Sequence, residues 1–495
     1  MAIRSMVERV GPAPDPGTLE ARLASIDIAA DPDAWAVAAY RLAVARSELA
    51  DNRSDLAESA ALLDKAGRIL TAERAPLEHG RIVTAIGNCQ RASGRPDLAV
   101  ASFDQAVLLL AGRAGPVEQG AALVNVGLAR TEIGDGPGAI DALDQAIIVL
   151  GGTDSPTTRS GPADVDDQDD QDDQDDQRRR TLGAALLNRA QAHQAMVDDA
   201  HLEAAVNDYR AAVEVLIPES PQAGMAWHGW ATALLERARR RGGSEPGGGD
   251  AIDQAMRAIE HATTVFTYDG FPFQHAISRH SLAVAHQLRA DRRLSMEPAG
   301  GRHDEARSGD GKHDNTSDRL LDPARVDLAL AAHHSEMALN VFDPRLHQAQ
   351  WRTVKRTLDE VEAALSPVVP SRALVELLAT IGERQRTTLL RDRLARYTTW
   401  PDMAVAADLD RFCLALAGLE PDDYRIVAQS LISVLMELPD DILEIACRAL
   451  AAANRSSNDP RAGNRALDDA IQARLFGPQR VKVRDVLVAN GWERP

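Results

Sequence analysis

Residues 81–110 read RIVTAIGNCQRASGRPDLAVASFDQAVLLL, with apolar residues returning at helical spacing on both sides of a breaker cluster, Gly94-Arg95-Pro96-Asp97. The stretch is therefore a helix, a tight turn and a second helix. In the first helix, Ile86-Gly87 puts a small residue where a partner helix must approach. In the second, Ala99, Phe103 and Ala106 share one face at spacings of four and three. One pair of helices cannot cover both of its apolar faces, so the unit requires neighbours.

The sequence supplies them. A displacement of 40 residues superimposes Leu63-Asp64-Lys65-Ala66 on Phe103-Asp104-Gln105-Ala106 and on Leu143-Asp144-Gln145-Ala146. Three further columns hold in the same register: Ser59, Ala99 and Ala139; Ser54, Gly94 and Gly134; Ser47, Gly87 and Gly127. Weaker units follow. Ala205, Tyr209 and Ala212 come after a helix containing Leu187-Asn188-Arg189-Ala190, and Ala255, Ile259 and Ala262 come after a helix around Trp227 to Ala238. A sixth pairs Leu282-Ala283 with Ala331, Ser335 and Ala338 and ends at Asp343-Pro344.

These residues resemble the tetratricopeptide (TPR) pattern, in which Leu-Gly in a first helix precedes an Ala, an aromatic and an Ala in the second. Ile86-Gly87, Gly94, Ala99, Phe103 and Ala106 fit it, as do Val126-Gly127, Gly134, Ala139, Leu143 and Ala146. The pattern's first-helix tryptophan and tyrosine are replaced by Val83 and Gln90, then by Leu123 and Arg130, and the period exceeds the usual length of about 34 residues. Trp35-Ala36 and Ala226-Trp227 also look like the longer bacterial repeats found beside CHAT-type cysteine peptidase domains. The TPR resemblance implies a groove lined by successive first helices. Arg41, Val44, Glu48 and Asp51 would line it, followed by Arg81, Thr84, Asn88 and Arg91, then by Ala121, Val124, Asn125, Leu128 and Thr131. Asn88 and Asn125 resemble two asparagines of the carboxylate clamp that some members use. The lysines of that clamp are unmatched, so an acidic C-terminus is not the expected ligand.

The 495 residues exceed what one ordinary core accommodates, and aromatics are only 4% while alanine recurs on most apolar faces, a mixture suited to closely packed helices. The expected architecture is all-α: a TPR-like α-solenoid of helix–turn–helix repeats followed by a helical C-terminal bundle. Its expected layout is an N-terminal tail over 1–30, repeats over 31–150, and an acidic disordered insert over 151–180 built on the Asp-Asp-Gln run. Degenerate repeats over 181–366 follow, with a disordered insert at 295–318, and then the C-terminal domain over 367–495. In that domain helices are expected at Ala373 to Arg396, Met403 to Ala417, Tyr424 to Leu438 and Asp441 to Ala453. Val481 to Trp492 is open between a docked helix and a short tail.

A net charge of -19 opposes nucleic acid as partner, because such affinity comes from Lys and Arg neutralising phosphates. No stretch has the length and apolarity to cross a bilayer, and Met1 to Gly17 lacks a signal-type apolar region. Cys89, Cys413 and Cys447 are far apart in apolar helical contexts, which reads as reduced thiols in a cytoplasm. Chemistry is not expected. Gly-x-Ser-x-Gly and His-Glu-x-x-His are absent, and Asp310-Gly311-Lys312-His313-Asp314 fails as a calcium loop. His275, His280 and His286 are poorly spaced for one helix face, while His333 and His334 point to different sides. The expectation is a non-enzymatic adaptor without metal or cofactor, binding a peptide or helix of another protein, with the oligomeric state left open. The alternative is a regulatory or sensor subunit controlling a separately encoded effector, such as a peptidase or transcription factor.

Overall fold

The computed structural model describes residues 15–151, 165–196, 198–241, 248–296 and 322–495, and among these the regular elements are all helices. Two compact units are formed, Met1–Arg237 with Glu260–Val265, and Ala238–Ile259 with Phe266–Pro495.

The first unit holds α1 (Pro16–Ala24), α2 (Pro32–Glu48), α3 (Arg53–Ile69), α4 (Pro76–Ala92), α5 (Pro96–Leu110), α6 (Pro116–Glu132), α7 (Gly136–Gly151), α8 (Val165–Ala195) and α9 (Asp199–Val215). Next come α10 (Pro221–Arg240) and α11 (Gly248–Val265), each divided between the units. Proline opens α2, α4, α5 and α6, where its missing N–H has no helical partner to lose. The pairs α2/α3, α4/α5, α6/α7 and α8/α9 are helical hairpins, and α3, α5 and α7 each pack on the first helix of the next pair.

The repeat register holds at its core. Leu63, Phe103 and Leu143 are fully buried, as are the small residues Ser59, Ala99 and Ala139. Gly87 explains why the column facing them is small: a Cβ there would lie 2.5 Å from the Phe103 ring, so only glycine lets α4 and α5 approach this closely. At Gly94 the backbone turns through φ 77, the left-handed conformation that ends α4. Ser54 does not share that role, because Asn52 caps α3 and Ser54 lies inside its first turn.

Helix reaches into two of the expected segments. Within the N-terminal tail, α1 is a capped helix that packs on α2 and buries Leu19, while residues 1–14 lie outside the described ones. The acidic run is helical from Val165, and 152–164 lie outside the described residues. Within α8, Arg179 pairs with Asp176 at 2.7 Å one turn back. The later half is anchored on α9 and buries Ala185, Ala190 and Ala192, so helix propagates outward from packed sequence.

The second unit continues with α12 (Pro272–Met296), α13 (Pro323–Leu339) and α14 (Gln348–Leu365). Ala331, Ser335 and Ala338 of α13 are all fully buried, as the repeat pattern anticipates. Of the second expected insert, Ser295 and Met296 belong to α12 and the remainder lies outside the described residues. The C-terminal bundle comprises α15 (Pro370–Thr380), α16 (Glu383–Ala395), a 3-10 turn (Arg396–Thr398), α17 (Asp402–Ala417), α18 (Pro421–Leu435), α19 (Asp440–Arg455), α20 (Pro460–Arg474) and α21 (Gly477–Ala489). It is two-layered: α15, α17, α19 and α21 stack in one layer and α16, α18 and α20 in the other. The helix expected over Ala373 to Arg396 is broken at Ile381-Gly382, and the buried Arg386 guanidinium donates to the Leu378 and Ile381 carbonyls at 2.6 Å each, satisfying the open end of α15. The C-terminus docks as a helix, with Val483, Leu487 and Trp492 in the core.

Candidate functional site

The residues expected to line a groove lie on α2, α4 and α6. Arg81 and Arg91 reach from α4 to α6: Arg81 Nε and Nη2 stand 2.5 and 2.9 Å from the two Glu118 carboxylate oxygens, and Arg91 pairs with Glu132 at 2.9 Å. The hydrogen bond it donates to Glu118 raises the already high pKa of Arg81, whose side chain keeps only a tenth of its surface accessible. These two arginines therefore brace neighbouring repeats. Thr84 and Thr131 turn their hydroxyls back onto the carbonyls of Gly80 and Gly127, at 2.9 Å each. Val124 is buried with Leu123, Leu143 and Ala185 between repeats. Asn88 and Glu48 are exposed, and Arg41, Val44, Ala121, Asn125 and Leu128 are half-buried. Trp227 stacks on the His261 ring with centroids 4.5 Å apart.

The second unit contains a polar interior that the motif search passed over. On α12, His275, Arg279, His286, Arg289 and Arg293 follow at spacings of four, seven, three and four, which is one helix face. His280 leaves that face and meets Thr357 of α14 at 3.1 Å, where burial lowers its pKa to about 4. Asp327 of α13, fully enclosed, accepts from His286 Nδ1 at 2.9 Å, from Arg289 at 2.6 Å and from Arg293 at 2.6 Å. About two helical turns away, the Arg279 guanidinium is surrounded. It donates from Nε to His275 Nε2 at 3.2 Å, from Nη1 to His334 Nδ1 at 3.3 Å, and from Nη2 to the Asp392 carboxylate of α16. His333 Nε2 lies 3.2 Å from the other Asp392 oxygen.

His333, His334 and Asp392 converge as a metal's donors would. Arg279 occupies that role. Its planar fork already satisfies His334 and Asp392, and a dication there would stand against a fixed guanidinium charge.

Beyond Asp392 the network continues through Arg393. Its Nη1 meets Glu336 at 2.9 Å and its Nη2 meets Asp408 at 2.7 Å, while Asp408 also accepts from Arg396 at 2.9 Å and from the Tyr397 hydroxyl at 2.6 Å. Burial opposes the Asp408 charge, but the Arg393 and Arg396 charges outweigh it and hold the carboxyl well below the ordinary range. A cleft of about 390 Å³ opens beside these groups and also touches Glu362, Arg411 and Trp400. Its arginines and carboxylates balance, leaving no net charge to select a ligand.

Nucleophilic cysteine chemistry has no support at the three thiols. All are buried, and burial pushes Cys447 up to about 12 and raises Cys89 and Cys413, the opposite of what a thiolate nucleophile needs. Among the described residues no helix is long and apolar enough to cross a membrane.

No family model matches the chain, and no curated protein does. Solved structures similar to it include the TPR domain of P58(IPK), at 12% identity and a TM-score of 0.23, covering 91% of this chain and 97% of that one. A circular tandem repeat protein with a novel repeat topology is 14% identical at a TM-score of 0.24, covering 96% of this chain and 90% of its own. At those scores neither likeness carries an argument, and the repeat architecture rests on the packing of the chain's own columns.

Proposed function

We propose that the repeats of the first unit form a non-enzymatic scaffold that holds a peptide or helix of another protein against the face of α2, α4 and α6. The supporting observation is a division of labour on the first helices. Arg81 and Arg91 are engaged in bracing α4 to α6, while Glu48, Asn88, Asn125 and Leu128 keep accessible surface beside them. A braced surface that presents amides, a carboxylate and an apolar group suits a partner already shaped as helix or extended chain, because little ordering cost remains on the scaffold's side. Three buried free thiols fit a reducing cytoplasm. In the regulatory form of this reading, the same contact gates a separately encoded effector.

The test compares two double variants by affinity capture from the native host, with melting temperature measured for each. Asn88→Arg with Asn125→Arg should lose partners that the wild type captures. Gln105→Arg with Gln145→Arg, at exposed positions of α5 and α7, should retain them. Capture of the same proteins by both variants would remove the proposed face.

A further inference from the structure

We infer that the junction of α12, α13 and α16 is an acid-sensitive latch, closed only while His275 and His334 are unprotonated. The geometry is specific about the nitrogen atoms. His275 Nδ1 lies 2.8 Å from the Phe266 carbonyl, which fixes its proton there and leaves Nε2 as a lone pair, and Arg279 Nε–H donates to that lone pair. His334 Nδ1 likewise faces Arg279 Nη1–H and must be the accepting nitrogen. A proton on either acceptor would set N–H against N–H and a second cation against the guanidinium.

The surroundings add to the effect. From α13, the His333 ring lies 5.2 Å from that of His334, and His333 Nδ1 is buried without a partner, so a proton placed on it would find no acceptor. From α12, His286 stacks on His334 at 5.6 Å, with Arg289 and Arg293 beyond it. From α16, Asp392 faces the cluster together with Arg393. Asp392 and Asp327 supply the negative charge. Burial opposes their ionisation, but hydrogen bonds from His333 and His286 and the nearby arginines outweigh it and hold both below the usual range. Burial, reinforced at His334 and His275 by the Arg279 charge, lowers the pKa of all four cluster histidines.

The sign follows. Histidines held below their unfolded value of about 6.5 leave stability intact above that pH and withdraw it as pH falls towards their folded values. The two aspartates stay ionised through the same window, so histidine protonation drives the opening. Opening would part α16 from α12 and α13.

Native-state hydrogen exchange of the full chain between pH 7 and 5, corrected for intrinsic exchange, reads this directly. Amides of α12, α13 and α16 should lose protection below pH 6.5 by up to about tenfold per pH unit for each histidine that takes a proton on opening. Residues 32–151 contain a single histidine, His79, and should stay flat. In His334→Gln, whose amide oxygen can accept from Arg279 without titrating, the slope should fall by about one proton, and His275→Gln should behave alike. Should a variant fail to fold, the wild-type imidazole resonances decide: His275 and His334 must titrate below the unfolded histidine value of about 6.5. Flat protection across α12, α13 and α16, unchanged slopes in folded variants, or titration of either imidazole at or above about 6.5 would each overturn the inference.

Discussion

Phe103 and Asp408 are both shut away from solvent, at 0% and 2% exposure, yet they hold their regions together by opposite means. Around Phe103 the interior is alanine, glycine and valine, and specificity comes from shape: a ring in one helix fills the space left by a missing side chain in the other. Around Asp408 the interior is arginine, tyrosine and glutamate, and specificity comes from charge and hydrogen-bond direction. Shape complementarity tolerates pH and salt. A buried ion network costs desolvation and is stable only while every member is present and correctly protonated.

The largest effects should separate these two interiors. Asp408→Ala would strand Arg393 and Arg396 without their shared carboxylate, and the expected loss is about 3–5 kcal/mol, measured by urea unfolding. Phe103→Ala removes no charge and should cost about 3–5 kcal/mol through lost transfer energy and an unfilled cavity. Added salt tells them apart: 0.5 M chloride should change the Asp408→Ala deficit more than the Phe103→Ala deficit. Equal salt responses would erase the distinction between the two interiors.

That difference also governs what could be read from the sequence. A shape-based interior leaves a periodic record, because every unit repeats the same size constraint. The columns of Leu63, Phe103 and Leu143 and of Ala99 and Ala139 located helices, turns and core together. A charge-based interior leaves no such period, since its partners come from distant helices. Reading His275 with His280 and His286 hid the stripe; reading His275 with Arg279, His286, Arg289 and Arg293 would have found it. His333 and His334, expected on different sides, bring their rings within 5.2 Å of each other, and both are buried because α13 packs against α12, α14 and α15 while Asp392 of α16 reaches His333. The candidate groove is legible in the sequence as a row of positions, whereas the ion pair of Arg81, the backbone hydrogen bond of Thr84 and the burial of Val124 depend on neighbouring helices and turns that the row does not show. The C-terminal layering had its own signal, prolines at 401, 421, 439, 460 and 478 recurring every 18 to 21 residues at helix starts.

Smaller changes sharpen the comparison. Arg91→Ala removes a pair about a third exposed on both sides, so screening should limit its cost to about 0.2–1 kcal/mol, vanishing at high salt. Asn88→Ala, on an exposed position, should stay within about 0.5 kcal/mol by thermal melting while altering partner capture. A larger stability loss would show that Asn88 belongs to the packing.

The repeat register is the claim on which the rest stands, and a two-by-two cycle at Gly87 and Phe103 tests it most directly. In the wild type, Gly87→Ala should destabilise by about 1–3 kcal/mol, because the added methyl meets the Phe103 ring. In a Phe103→Ala background the same change should become neutral or stabilising by up to about 1 kcal/mol, since the space is open and alanine is the better helix former. That reversal of sign is the predicted result. A Gly87→Ala cost identical in both backgrounds would contradict the pairing of α4 with α5 and the register built on it.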